Sequence, residues 1–160
     1  MEYVRYKHSR FTARFPSEFR YAPSHYWMAL INEEERIWHV GFTKFATRML
    51  GELVEAEFKV PVGGQVQLGQ EIGWVEGFKA ASDVFCVVDG DFGGINPALV
   101  EDACIIRSSP YQDGYLYSVQ GEPGEGDLDV HQYIKHLDGL INLMQLDPKY
   151  AEDENAEAAP

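Results

Sequence analysis

Lys79 stands in the stretch VEGFKAASDVF, residues 75–85, between two apolar runs at 72–75 and 84–88. Small or turn-forming residues surround it: Gly77, Ala80, Ala81, Ser82 and Asp83. Two strand-like runs joined by so short a segment predict a hairpin, with Phe78 and Lys79 at a tip that projects into water. A primary amine fixed there suits a covalently carried group, because a modifying enzyme and several partner enzymes can all reach it. Taken alone, a lysine in a β-turn is usually only a solubilising charge. Glu76, Phe78, Ala80 and Asp83 flank the lysine in the hairpin and are candidate site residues; the plain readings of the two acids are an exposed strand carboxylate and a turn-fixing side chain. His25 reads as a structural histidine. His131 and His136 lie five apart on a helical stretch, the wrong spacing for one metal-binding face. The chain offers no metal site, no phosphate loop and no nucleophile–base pair.

The elements that must position Lys79 are short. Residues 37–42 read as a strand, Thr43 as a helix N-cap, and Phe45, Ala46, Met49 and Leu50 as one turn-spaced face that stops at Gly51. Residues 53–60 read as a strand. From Pro61 to Asn96, short strands alternate with glycine turns, the pattern of a compact all-β unit. Asn96-Pro97 opens a short helix. Ile105-Ile106 and residues 115–119 read as later strands and 121–126 as a loop. A helix is expected over about 128–144, with Val130, Tyr133, Ile134, Leu137, Leu140, Ile141 and Met144 on one apolar face covering the edge of the β unit. Residues 1–23 form a basic, aromatic extension, 24–146 the main domain, and 147–160 an acidic tail of disordered composition.

Composition narrows the function classes. With 160 residues and 45% hydrophobic side chains, the chain supports one domain with a real core. A net charge of −13 speaks against a nucleic-acid binder and favours docking to basic partner surfaces. The charge is uneven: residues 1–23 carry +3 and the remainder −16. The basic segment reads as a solvated arm packed through its aromatic side chains. No apolar run spans a bilayer and no secretory signal core is seen, so no membrane span and a cytoplasmic location are expected. Cys86 and Cys104, both within apolar runs, read as buried thiols.

An ordered set of motifs resembles the glycine cleavage system H-protein family over residues 24–120. The set comprises Ser24-His25-Tyr26-Trp27; Val40-Gly41-Phe42-Thr43 with Phe45-Ala46; Leu50-Gly51-Glu52-Leu53-Val54; Val75-Glu76 with Lys79-Ala80-Ala81-Ser82-Asp83-Val84; and Asn96, Leu99, Ser109-Pro110-Tyr111 and Gly114-Tyr115-Leu116. The resemblance implies a mainly β, barrel-sandwich hybrid fold of the lipoyl/biotinyl-carrier kind, with antiparallel sheets, flanking short helices and a C-terminal helix. It implies lipoic acid as cofactor, in amide linkage to Lys79, with Glu76 helping to present that lysine to the lipoate-attachment enzyme. Biotin carriers bracket their lysine with methionines, whereas Phe78 and Ala80 stand here.

Gly77-Phe78 replaces the Ser-Val usual in glycine cleavage proteins, and Cys86-Val87 replaces Ala-Pro. Together with the Arg- and Tyr-rich N-terminal extension, these departures resemble a second branch of the family, the lipoate-binding proteins of bacterial sulfur oxidation. That branch implies a lipoamide arm shuttling a sulfur intermediate and reducing equivalents, with a heterodisulfide-reductase-like complex and dihydrolipoamide dehydrogenase as partners. The alternative is an H protein carrying an aminomethyl group between glycine decarboxylase and aminomethyltransferase. In both readings the chain is a carrier, not an enzyme.

Overall fold

The computed structural model describes residues 1–145. The expected tail at 147–160 lies outside the described residues. Eleven strands and four helices occur among those described. The first strands, β1 (Tyr3–His8) and β2 (Phe11–Pro16), form an antiparallel hairpin. The remaining strands are β3 (Arg20–Tyr21), β4 (Tyr26–Asn32), β5 (Ile37–Phe42), β6 (Leu53–Phe58), β7 (Gln65–Val66), β8 (Glu71–Gly77), β9 (Ala81–Phe85), β10 (Val88–Ile95) and β11 (Tyr117–Pro123). They make a six-stranded antiparallel sheet in the order β3-β4-β5-β11-β10-β7 and a three-stranded one in the order β6-β8-β9. The helices are α1 (Lys44–Leu50), α2 (Pro97–Glu101), α3 (Ile105–Ser108) and α4 (Val130–Gln145).

Two cores lie on opposite faces of the large sheet, and β4 shows why both exist. Its residues Tyr26, Trp27, Met28 and Ala29 are all buried, and successive side chains point to opposite faces. Tyr26 and Met28 enter a largely aliphatic core with Val40, Leu53, Ile72, Val75, Val84 and Val119, filling the space between the two sheets. Trp27 and Ala29 enter a second core with Tyr6, Phe11, Phe15, Tyr21, Tyr111, Tyr133 and Leu137. There, Tyr133 stacks on Tyr21 at 4.9 Å between ring centroids and meets Phe15 edge-on at 5.4 Å. Tyr6 Oη donates to Asp138 at 2.7 Å and His8 Nδ1 lies 3.0 Å from the same carboxylate, tying the hairpin to α4. These two hydrogen bonds hold Asp138 below the usual carboxylate range.

The expected barrel-sandwich hybrid is the fold observed, with four corrections of detail. Ile105-Ile106 lies in a helix, not a strand. The Asp102 carboxylate accepts from the Cys104 amide at 3.0 Å, turning the chain, and Ile106 then packs inward. Residues 121–123 belong to β11 and are not loop, because Gly121 and Glu122 pair with Gly90 and Asp89. Helix α4 does not cover the edge of the β unit; its buried face of Val130, Tyr133, Leu137 and Ile141 lies in the aromatic core against the N-terminal strands. Cys104 is exposed, not buried. Thr43 does sit at the N-cap of α1, but its hydroxyl bonds Tyr133 Oη at 2.7 Å, and the Lys44 amide is capped instead by Tyr111 Oη at 3.1 Å.

Candidate functional site

The β8–β9 hairpin forms where the sequence placed it, with Phe78, Lys79 and Ala80 between the two strands. The Gly77 amide donates to the Ala80 carbonyl at 2.9 Å and closes the turn. The tip then docks on the end of α1. The Phe78 amide donates to the Glu52 carbonyl at 2.9 Å, the Lys79 amide to Leu50 at 3.0 Å, and Lys79 Nζ to the Arg48 carbonyl at 3.3 Å. The last carbonyls of a helix lack intrahelical donors and carry partial negative charge, so a cationic side chain belongs there. Two glycines permit the approach. Gly51 leaves the helix at φ 77°, and a Cβ on it would lie 3.0 Å from Lys79 Cγ. A Cβ on Gly77 would lie 2.2 Å from the Leu50 carbonyl oxygen, an impossible contact. The turn therefore sits closer to α1 than a side chain at position 77 would allow.

The other sequence candidates divide. Phe78 is 76% exposed at the tip, and Ala80 is exposed beside it. Glu76 and Asp83 are both exposed on the outer face of the small sheet, where Glu76 lies opposite Glu55 and Ala81, and Asp83 opposite Trp74. Glu57, also opposite Trp74, completes an acidic face around a half-exposed indole. The acid partners Glu55 and Glu57 emerge only from strand register and were not among the sequence candidates.

His25 is a structural residue. Its Nδ1 lies 2.9 Å from Tyr133 Oη, its ring stacks near His136, and its carbonyl accepts from Thr43 at 3.0 Å. Burial, with the His136 charge beside it, pushes its pKa down to about 4. Cys86 is buried, donates its thiol to the Val88 carbonyl at 2.9 Å, and is pushed up to about 11 by burial. The Cys104 thiol donates to Glu52 Oε1 at 3.1 Å, and that carboxylate raises it to about 11. Neither thiol is a ready thiolate near neutral pH.

Strand β9 leads from the lysine turn to an apolar cleft of about 400 Å³, lined in part by Met28, Leu68, Phe85, Cys86 and Val87. Tyr26 Oη accepts from the Phe85 amide at 3.0 Å and Tyr117 Oη from the Val87 amide at 3.3 Å, fixing that rim. Burial pushes Tyr26 up to about 12, so its hydroxyl stays protonated.

A barrel-sandwich hybrid with an exposed lysine at a hairpin tip is the architecture of the lipoyl/biotinyl-carrier class. The glycine cleavage H-protein family profile matches residues 19–137. A glycine cleavage system H protein of Pseudoalteromonas atlantica is 34% identical over 129 residues, 79% of this chain and 98% of the relative. One from Saccharophagus degradans is 40% identical over 114 residues, 71% of this chain and 82% of the relative. The crystal structure of a glycine cleavage system H protein from Mycobacterium marinum superposes with a TM-score of 0.69 at 31% identity, covering 78% of this chain and 99% of that one. The chain belongs to the glycine cleavage H-protein family.

Proposed function

We propose that Lys79 is the covalent attachment point of a lipoyl group and that this protein is a non-catalytic carrier whose arm takes an aminomethyl group between glycine decarboxylase and aminomethyltransferase. The observation that carries the reading is the docked turn, which presents one exposed primary amine on a rigid support. The residues fit the group. Acylation of Nζ forms an amide, releases a proton and removes the ammonium charge, yet leaves one N–H, enough to keep a bond to the Arg48 carbonyl. Phe85, Cys86 and Val87 line an apolar surface one strand along from the turn, where a hydrocarbon chain can rest without desolvating a charge. Lipoamide supplies a dithiolane that opens to two thiols, able to hold a transferable group and to surrender an electron pair on closing. The chain's own contribution is position: tethering raises the effective concentration of the arm at whichever enzyme has docked.

The names of the relatives favour the glycine cargo over the sulfur cargo. The sulfur-oxidation reading stays as the second because of Gly77-Phe78 and Cys86-Val87, which alter the tip and the cleft rim where an enzyme of glycine cleavage would dock. Incubating the lipoylated protein with glycine decarboxylase and glycine separates the two. Efficient aminomethyl loading, read by intact mass, supports the glycine cargo. A lipoylated protein that stays unloaded rejects it and leaves the sulfur reading, with a heterodisulfide-reductase-like complex and dihydrolipoamide dehydrogenase as partners.

A further inference from the structure

A second surface adjoins the lysine turn. A cleft of about 620 Å³ opens between the β1–β2 hairpin, α1 and the segment 107–112. Its lining holds Arg10 and Arg14 from the hairpin, Lys44 and Arg48 from α1, and Arg107 from α3, and it holds no carboxylate. Five of the chain's thirteen basic residues thus converge in one concavity of a protein with a net charge of −13. The N-terminal basic segment packs through its aromatic rings, as its composition suggests, and its hairpin carries Arg10 and Arg14 to this cleft. Aromatic rings fix two of the cations, with the Arg14 guanidinium 4.9 Å over Tyr3 and that of Arg48 5.3 Å over Phe11. Arg14, Lys44 and Arg107 are exposed and have no carboxylate partner among the described residues.

The cleft and the lysine share α1. Lys44, Thr47 and Arg48 line the cleft, while the Arg48 and Leu50 carbonyls receive Lys79. The small sheet that carries the turn has an acidic outer face of Glu55, Glu57, Glu76 and Asp83. A partner that meets both the cationic cleft and this acidic face is fixed in orientation. Enzymes that use a mounted arm meet its far end. The enzyme that mounts the arm must bring an activated acyl group to Nζ itself, so its footprint has to cover the end of α1.

We infer that the cationic cleft receives an acidic segment of the lipoate-attachment enzyme and orients that enzyme on Lys79. The inference rests on the reading of Lys79 as the attachment point. The test is in-vitro loading of the full-length protein by the lipoate-attachment enzyme of the same organism with ATP and lipoate, read by intact mass. Arg14→Glu with Arg107→Glu should lower kcat/KM at least tenfold at low salt, mostly through KM, and flatten the salt dependence that the wild type shows. Arg14→Gln with Arg107→Gln should fall between the two. Both residues are exposed, so the melting temperature of each double variant should match the wild type, and reduction of the mounted arm by a small dithiol should be unchanged. A charge-reversed variant that loads as fast as the wild type, with the same salt slope, overturns the docking inference while leaving Lys79 as the attachment point. A wild type that gains no lipoyl increment on Lys79 overturns the attachment reading itself, and the docking inference with it.

Discussion

The two cores of this protein are built by different means. The core between the sheets is largely aliphatic and draws on strands joined by tight turns, so many of its contacts are local hairpin contacts. The core on the outer face of the large sheet is aromatic, and it joins the first twenty residues to the last described helix: Tyr6 reaches Asp138 across 132 positions. The first carries the lysine turn and the second carries half of the cationic cleft. The proposed attachment point thus lies on the locally encoded part, and the proposed docking cleft on the part that only the whole chain can assemble.

Lys79→Arg should separate chemistry from fold most sharply. It removes a primary amine at an exposed tip, so lipoyl loading should vanish by mass while the thermal melt stays within a degree or two. Loss of the folded state would make Lys79 a structural lysine. Phe15→Ala acts on the other side of the comparison. Phe15 is fully buried among aromatic rings, and deleting it should cost about 3–5 kcal/mol in urea unfolding. At a temperature where the variant is still folded, loading of Lys79 should persist, since the turn is supported by the other core; a variant that is folded but cannot be loaded would show the two cores to be coupled.

His25 gives the aromatic core a pH signature. Its folded pKa, near 4, lies below the ordinary value of 6.5, so between those pH values the unfolded chain takes a proton that the folded chain refuses. Stability is therefore full above pH 6.5 and falls by up to about 3 kcal/mol as pH drops towards 4. Urea unfolding at pH 7 and pH 4.5 should show that slope, and His25→Gln should flatten it. Gly77→Ser makes a smaller, local change. The added atoms collide with the Leu50 carbonyl, so the turn must lift from α1 at a cost of about 1–3 kcal/mol, and loading should slow several-fold. A serine variant with unchanged melting and loading would show that the close seat of the turn does no work.

What could be read from the sequence follows the same division. The lysine hairpin, strand β5, helix α1 and the Asn96 cap are each written in adjacent residues, as alternation, turn glycines and capping side chains. Asn96 Oδ1 does accept from the Ala98 amide, at 3.0 Å. Two β-branched isoleucines favour a strand where α3 stands, while the deciding feature is a single carboxylate two residues upstream of Cys104. The capping of α1 by Tyr111, the turn of α4 towards the N-terminal hairpin, and the convergence of Arg14 with Arg107 depend on partners 60 to more than 100 residues apart, and no local pattern encodes them. The acidic face around Trp74 required the register of three strands before Glu55 and Glu57 could be placed beside Glu76 and Asp83.

The intact mass of the protein from its native cells, with the modified peptide mapped, tests the central claim most directly. A lipoyl increment confined to the peptide containing Lys79 is the result expected. An unmodified Lys79, or an increment on any of the other five lysines, would contradict it.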